Sequence, residues 1–221
     1  KLPHRWEGYV HEVLTYAGSE EIADVAVTHK SVKTAYSDRN LHIYETHIQC
    51  GEPLSPRDLF YWGRELFYHR HDREASNVLT AFLHHPAAWT ENKIDACRLL
   101  AAIALRADDR EGAMAAYTRT FLYGSPRAEV CTEIGELLSG AEEWQGAIFW
   151  FRVALEAGGT GDSRGFRDET LSGFAPLLGL CVCYDRLGER EKAIYYNEEA
   201  AKLRPHAPAV LYNRQYFGEE S

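Results

Sequence analysis

The chain has no run of the roughly 20 apolar residues that a helix needs to cross a bilayer. Its first residues also lack the basic-then-apolar layout of a secretion signal. A cytoplasmic location is the resulting expectation. Positive charge is in deficit, with 24 Lys and Arg against 33 Asp and Glu and a net charge of -9. A nonspecific grip on nucleic acid or an anionic membrane needs a dominant basic surface to displace counterions, so neither partner is expected. Cysteine is sparse: Cys50, Cys97, Cys131, Cys181 and Cys183 form an odd set without a C-x-x-C pair. That speaks against a disulfide framework or a structural zinc site and for reduced, mostly buried thiols. The "CVC" of Cys181 to Cys183 reads as packing, with Cys181 at a helix crossing.

Catalytic motifs are missing as well. No Gly-rich phosphate loop, nucleophile elbow or paired acidic motif occurs. Of the ten histidines, His69 and His71 lie two apart and His84 and His85 are adjacent. Neither pair has the i, i+4 spacing that places two ligands on one helical face, so solvated turn histidines are expected. The chain opens on Lys1 without an initiator methionine, as a piece of a longer protein would.

What is present is a repeat. The pairs Ala113 and Ala147, Tyr117 and Phe151, and Cys97 and Cys131 are each 34 residues apart. This resembles the tetratricopeptide repeat, a 34-residue helix-turn-helix in which small residues sit where helices A and B cross and larger ones fill the space between. One unit reads Cys131, Ile134, Gly135 and Leu138, then Ala147, Phe151 and Ala154. The unit before it reads Cys97, Leu100, Ala101 and Ala104, then Ala113 and Tyr117, with Thr120 where a small apolar residue is usual. A further unit reads Leu177, Leu180, Cys181 and Tyr184, then Ala193, Ala200 and Pro205, with Asn197 in place of the usual aromatic.

The first unit begins at "SPRDLFYWGRELF", with Ser55 as N-cap and Pro56 at the first helical position, and continues to Ala75. Its spacing to the next unit is 38 residues, with the extra ones placed around "HHPAAW". Between the last two units the spacing is 46, which the Gly-rich stretch 158–169 absorbs as an exposed insertion. After Pro205, "APAVLYNRQYF" supplies a capping helix.

Residues 1–36 stand outside the array. In "WEGYVHEVL" and "EIADVAVTHK" apolar and polar residues roughly alternate, which predicts two short strands around the turn "AGSE". Asp38 then caps a helix running to about Cys50. The expected fold is mainly α: a tetratricopeptide right-handed superhelix of about four units plus a capping helix over 55–217, a linking helix over 37–54, and a short β-hairpin before it.

Such an array offers a concave groove lined by its A helices. The frame puts Arg57, Phe60, Tyr61, Arg64 and Tyr68 there from the first unit, Arg98 and Arg106 from the second, and Glu129, Glu133 and Glu136 from the third. The groove is expected to be basic and aromatic at one end and acidic in the middle. It suits a peptide or protein, another domain of the same chain, or a second copy.

"RWEGYVHEVL", "VTHKS" and "RNLHIYE" resemble the end of the catalytic domain of bacterial family 2 glycosyltransferases of the GT-A type. "SPRDLFYWGREL", "PRAEVCTEIGELL", "AIFWFRVAL" and "LCVCYDRLGEREKAIYYNEEAAKLRP" resemble the tetratricopeptide extension that one bacterial group of them carries. The resemblance implies a parent that transfers sugar from a nucleotide sugar, with Mg or Mn on the diphosphate, to a protein, peptide or glycan acceptor recruited by the repeats. It maps the family's late His-Glu onto His11 and Glu12, with His11 as a metal or diphosphate ligand. The nucleotide-binding strands and the DxD motif are absent from the 221 residues, so this chain by itself is expected to be inactive, with no cofactor of its own. The alternative is a stand-alone tetratricopeptide adaptor without enzymatic activity.

Overall fold

The computed structural model describes residues 5–10, 12–15, 37–158 and 170–219. It divides into two compact units, Lys1–Ile103 and Ala104–Ser221.

The first unit opens with an antiparallel pair, β1 (Arg5–Glu7) and β2 (Val13–Thr15), in the register Trp6 opposite Leu14. A hairpin is therefore present, but its turn lies inside the first run and not at "AGSE". Gly8 is the reason. Its φ of 106° is open to glycine and strained for any other residue, so the run breaks there instead of continuing as one strand. "AGSE" and "EIADVAVTHK" lie outside the described residues.

The hairpin connection is tied to the helices. The Tyr9 amide donates to Asp58 Oδ1 at 3.2 Å. The Tyr9 ring stacks on His47, with centroids 3.6 Å apart. The Tyr9 hydroxyl donates to Glu52, which also bonds His47 Nδ1. His47 belongs to α1 (Arg39–Gln49), which follows Asp38 as expected, although the Asp38 side chain makes no cap bond.

Helix α2 (Pro56–Tyr68) begins as its sequence dictates. Ser55 Oγ accepts from the Asp58 amide, and Asp58 returns the bond to the Ser55 amide. This reciprocal box satisfies two helix donors that would otherwise lack partners. Its partner is α3 (Asp72–Leu83). At their crossing, a Cβ on Gly63 would fall 2.7 Å from Leu79, so the close approach requires glycine. The segment from His84 to Trp89 then leads into α4 (Thr90–Arg106), which places the four extra residues where the spacing predicted.

In the second unit, α5 (Arg110–Arg119) ends in a 3-10 turn, Thr120–Leu122. Thr120 is buried there, and its hydroxyl donates to the Tyr117 carbonyl at 2.6 Å. The turn explains why a polar residue replaces a small apolar one. Helices α6 (Ala128–Gly140), α7 (Trp144–Gly158), α8 (Ala175–Arg186) and α9 (Arg190–Leu203) follow, with a π-helical turn at Thr170–Phe174 before α8 and α10 (Pro208–Glu219) after α9. Phe151 of α7 is wedged between two helices. A Cβ would come 2.6 Å from its ring on Gly135 and 2.4 Å on Gly179. Neighbouring units thus interlock on one aromatic side chain. Burial pushes the Cys181 thiol up to about 12 and the Cys131 thiol up to about 11, as expected of packing cysteines.

Asn197, the residue out of pattern, has a tertiary explanation. It is 1% exposed, donates to the Val210 carbonyl at 3.3 Å and accepts from Asn213 Nδ2 at 3.0 Å. Outside this pair, Arg214 bonds Glu198 with two nitrogens. The last repeat therefore docks the capping helix α10 through this polar pair as well as through the buried Val210 and Phe217.

The repeat also appears in the backbone. Arg70, Asp108, Glu142 and Gly188 have positive φ, and their spacings of 38, 34 and 46 are those of Ala75, Ala113, Ala147 and Ala193. After each, an amide returns to the carbonyl five residues back: His71 to Leu66, Asp109 to Ala104, Glu143 to Leu138 and Glu189 to Tyr184. This is the Schellman closure, in which a left-handed residue satisfies the carbonyls at a helix end. Glycine fills it once in four. Replacing Glu142 by Gly should therefore remove left-handed strain of roughly 1 kcal/mol and raise Tm by about 2–4 °C, measured by thermal unfolding. An unchanged or lowered Tm would refute this reading of the turn.

The hairpin anchor has its own pH window. The bonds from His47 and Tyr9 hold the Glu52 carboxyl below its ordinary value of 4.5, and desolvation followed by the Glu52 bond raises the Tyr9 hydroxyl above 10.0. The Glu52 contribution is present above its unfolded value and lost as pH falls through the lowered folded value. The Tyr9 contribution is present below its unfolded value and lost as pH rises through the raised one. The Tyr9 ring resonances, shifted by the His47 stack, should move toward unstacked positions as pH falls through the Glu52 range below 4.5 and as it rises through the Tyr9 range above 10.0, while helical circular dichroism persists.

Candidate functional site

The capping box fixes where α2 starts, and the start fixes which side chains share a face. Arg57, Tyr61, Arg64 and Tyr68 are spaced four, three and four apart, which aligns them along one side of the helix. The Arg57 guanidinium lies 4.9 Å from the Tyr61 ring centroid, and Arg64 lies 5.8 Å from Tyr61 and 5.7 Å from Tyr68. The four form a ladder of alternating cation and ring. Stacking uses the flat face of a guanidinium, whereas carboxylates are bound by the N–H groups in its plane, so the two interactions are compatible.

Phe60 does not belong to this surface. It is 1% exposed, with its ring 5.5 Å from Phe82, and it serves the core against α3. The groove frame included it with Tyr61, but one step along a helix turns a residue by about 100°. Glu65 is also buried and accepts from Asn40 of α1 at 3.1 Å. Arg98 is half-buried on α4 and pairs with Asp95 of the same helix at 3.7 Å.

In the second unit, Arg106 lies half-buried in the last turn of α4. Glu133 and Glu136 line a cavity of about 310 Å³ together with Asp108, Arg110 and Tyr117. Desolvation, followed by the charge of Glu133, raises the Glu136 carboxyl above its ordinary value. Glu136 is still open to water, as a carboxylate on the floor of a concavity would be.

Glu129 departs from the expected open groove. It is 7% exposed, and beside it the Thr132 hydroxyl donates to the Leu171 carbonyl at 2.6 Å. The π-helical turn packs against α6 and covers this end of the helix. The residues just after the expected insertion thus pack on a face read as open, while 159–169 lie outside the described residues.

His11 lies outside the described residues. Glu12 is exposed, and no group of three or more His, Cys, Asp or Glu side chains is gathered as a metal would require among the described residues. Sequence reasoning also overlooked Asp58, which closes the capping box and holds the hairpin at once. Its cue was the S-x-x-D pattern of Ser55 and Asp58.

A scan of protein-family models finds no match for this chain, and neither does a search of curated proteins. Solved structures do match. The MamA protein aligns with a TM-score of 0.55 at 15% identity, over 73% of this chain and 79% of that one. PilF of Pseudomonas aeruginosa gives 0.57 at 16%, over 83% and 76%. YrrB, described as a TPR protein with an unusual peptide-binding site, gives 0.58 at 15%, over 80% and 83%. At these identities the likeness concerns the fold, and that fold is the tetratricopeptide-repeat array.

Proposed function

We propose that this chain is a protein-interaction region, and that its first unit binds an extended acidic peptide segment along α2. The cation-ring ladder of Arg57, Tyr61, Arg64 and Tyr68 carries this reading. Arginine and tyrosine are the residue types that most often dominate binding energy. The paired arginines add a charge preference that a chain of net charge -9 does not have as a whole. The preference is local, so it selects a segment and not a polyanion at large. The description of YrrB as a peptide-binding TPR protein is in keeping with it. Replacing Arg57 and Arg64 together by Ala should weaken a fluorescein-labelled peptide of alternating Glu and Gly by about 30-fold, or roughly 2 kcal/mol. Unchanged affinity, or equal binding of the matching Lys peptide, would remove the proposal.

The resemblance to family 2 glycosyltransferases supports a finer reading, in which the hairpin ends a sugar-transfer domain and the repeats recruit its acceptor. One observation favours it over a stand-alone adaptor. Trp6 and Leu14 face each other across the hairpin and stay 66% and 39% exposed, an apolar surface that a preceding domain would cover. The coding sequence upstream of Lys1 decides: a nucleotide-sugar domain with an acidic metal motif is expected, and its absence would leave the adaptor.

A further inference from the structure

We propose that a recess in the first unit, between the hairpin and the starts of α2 and α4, is an anchor pocket for one aromatic side chain of the bound peptide, with Asn92 holding the peptide backbone beside it. The inference rests on the peptide-binding reading above and adds the residue class that the segment must carry.

The recess has a volume of about 740 Å³, within the range of roughly 300–1,000 Å³ found for ligand sites. Gly8 and Tyr9 form its hairpin side, Arg57 stands at the start of α2, and Phe82, Trp89 and Asn92 complete the far side. Phe82 is fully buried, whereas Trp89, the residue before α4, is 51% exposed. The open indole offers a π-surface to a second ring, which gains in offset or edge-on contact beyond its buried area.

Asn92 supplies the second, independent observation. It is 6% exposed and lines the recess, and its amide meets no partner among the described residues. A carboxamide presents one donor edge and one acceptor edge, the complement of a peptide group. A bound backbone would satisfy both at once.

Charge decides where the rest of the segment runs. Asp58 lines the recess but is 4% exposed, with one oxygen accepting from Tyr9 and the other from Ser55, so it forms wall and not a cation site. Glu7 also lines the recess and is open to water, which disfavours an acidic residue inside it. Arg57 belongs both to this recess and to the α2 ladder. A neutral aromatic anchor in the recess, followed by acidic residues along α2, satisfies every group.

The test uses the full chain and two fluorescein-labelled nonapeptides of Glu and Gly that differ by a single Trp or Ala near one end, followed by anisotropy. The Trp peptide should bind at least about tenfold more tightly, the 1.4 kcal/mol of one well-placed aromatic contact. Trp89→Ala should bring the Trp peptide toward the Ala peptide, and Asn92→Leu, which removes a backbone contact, should weaken both peptides. Trp89 is exposed, so its variant keeps the test valid if Asn92→Leu unfolds. Equal affinity of the two peptides for the wild type overturns this inference and leaves the α2 reading standing. A tryptophan preference that survives Trp89→Ala also overturns it, as does binding of a gluco-oligosaccharide that Trp89→Ala abolishes in place of any peptide preference. Failure of both peptides to bind removes the two proposals together.

Discussion

The close crossing of paired helices governs this molecule. An amphipathic helix has one apolar stripe to bury, and two helices can bury their stripes on each other at short range only where a small residue stands at the contact. Ala75, Ala113, Ala147 and Ala193 are all fully buried, and each lies five residues after a left-handed turn residue. Within each compact unit, as for α2 and α3, α6 and α7, and α8 and α9, the turn aims helix B back along helix A, and the alanine lets it approach. Three of the four turns accept the strain of Arg, Asp or Glu at positive φ. Packing of the helix pair therefore outweighs the local cost, because losing the turn would expose the apolar stripes on both helices.

Interlocking between neighbours follows the same logic with other residues. Phe151 fills the space between Gly135 and Gly179 because both glycines give up a side chain to admit the ring. At the end of the array, the buried Asn197 and the half-buried Asn213 add a polar pair closed by hydrogen bonds to each other and to Val210. A ring tolerates several neighbours of similar shape, whereas a satisfied polar pair accepts one arrangement. The capping helix is thus set in a specific register as well as covered.

The proposed interaction surface is a by-product of that packing. The capping box at Ser55 and Asp58 sets the first turn of α2, the core takes Phe60, Gly63 and Leu66, and what is left outside aligns as Arg57, Tyr61, Arg64 and Tyr68. Asp58 also ties the hairpin to the same helix end, so the recess beside Trp89 and the ladder on α2 share one anchor. The spacing in sequence places the ladder, and the core chooses which side of it meets water.

The sequence by itself determined the period, the helix pairs, the crossing alanines, the N-cap at Ser55 and the position of the extra residues between α3 and α4. These are local or near-neighbour properties, fixed by helical geometry and by which residues fit a crossing. Only tertiary structure decided that Phe60 is core, that Tyr9 is held by Asp58, that the turn at Thr170–Phe174 meets Thr132, and that Asn197 is the dock for α10. Each of these depends on a partner at least 13 residues away. A period reports which face a residue occupies, but the identity of the group packed against that face is set by where the rest of the chain returns.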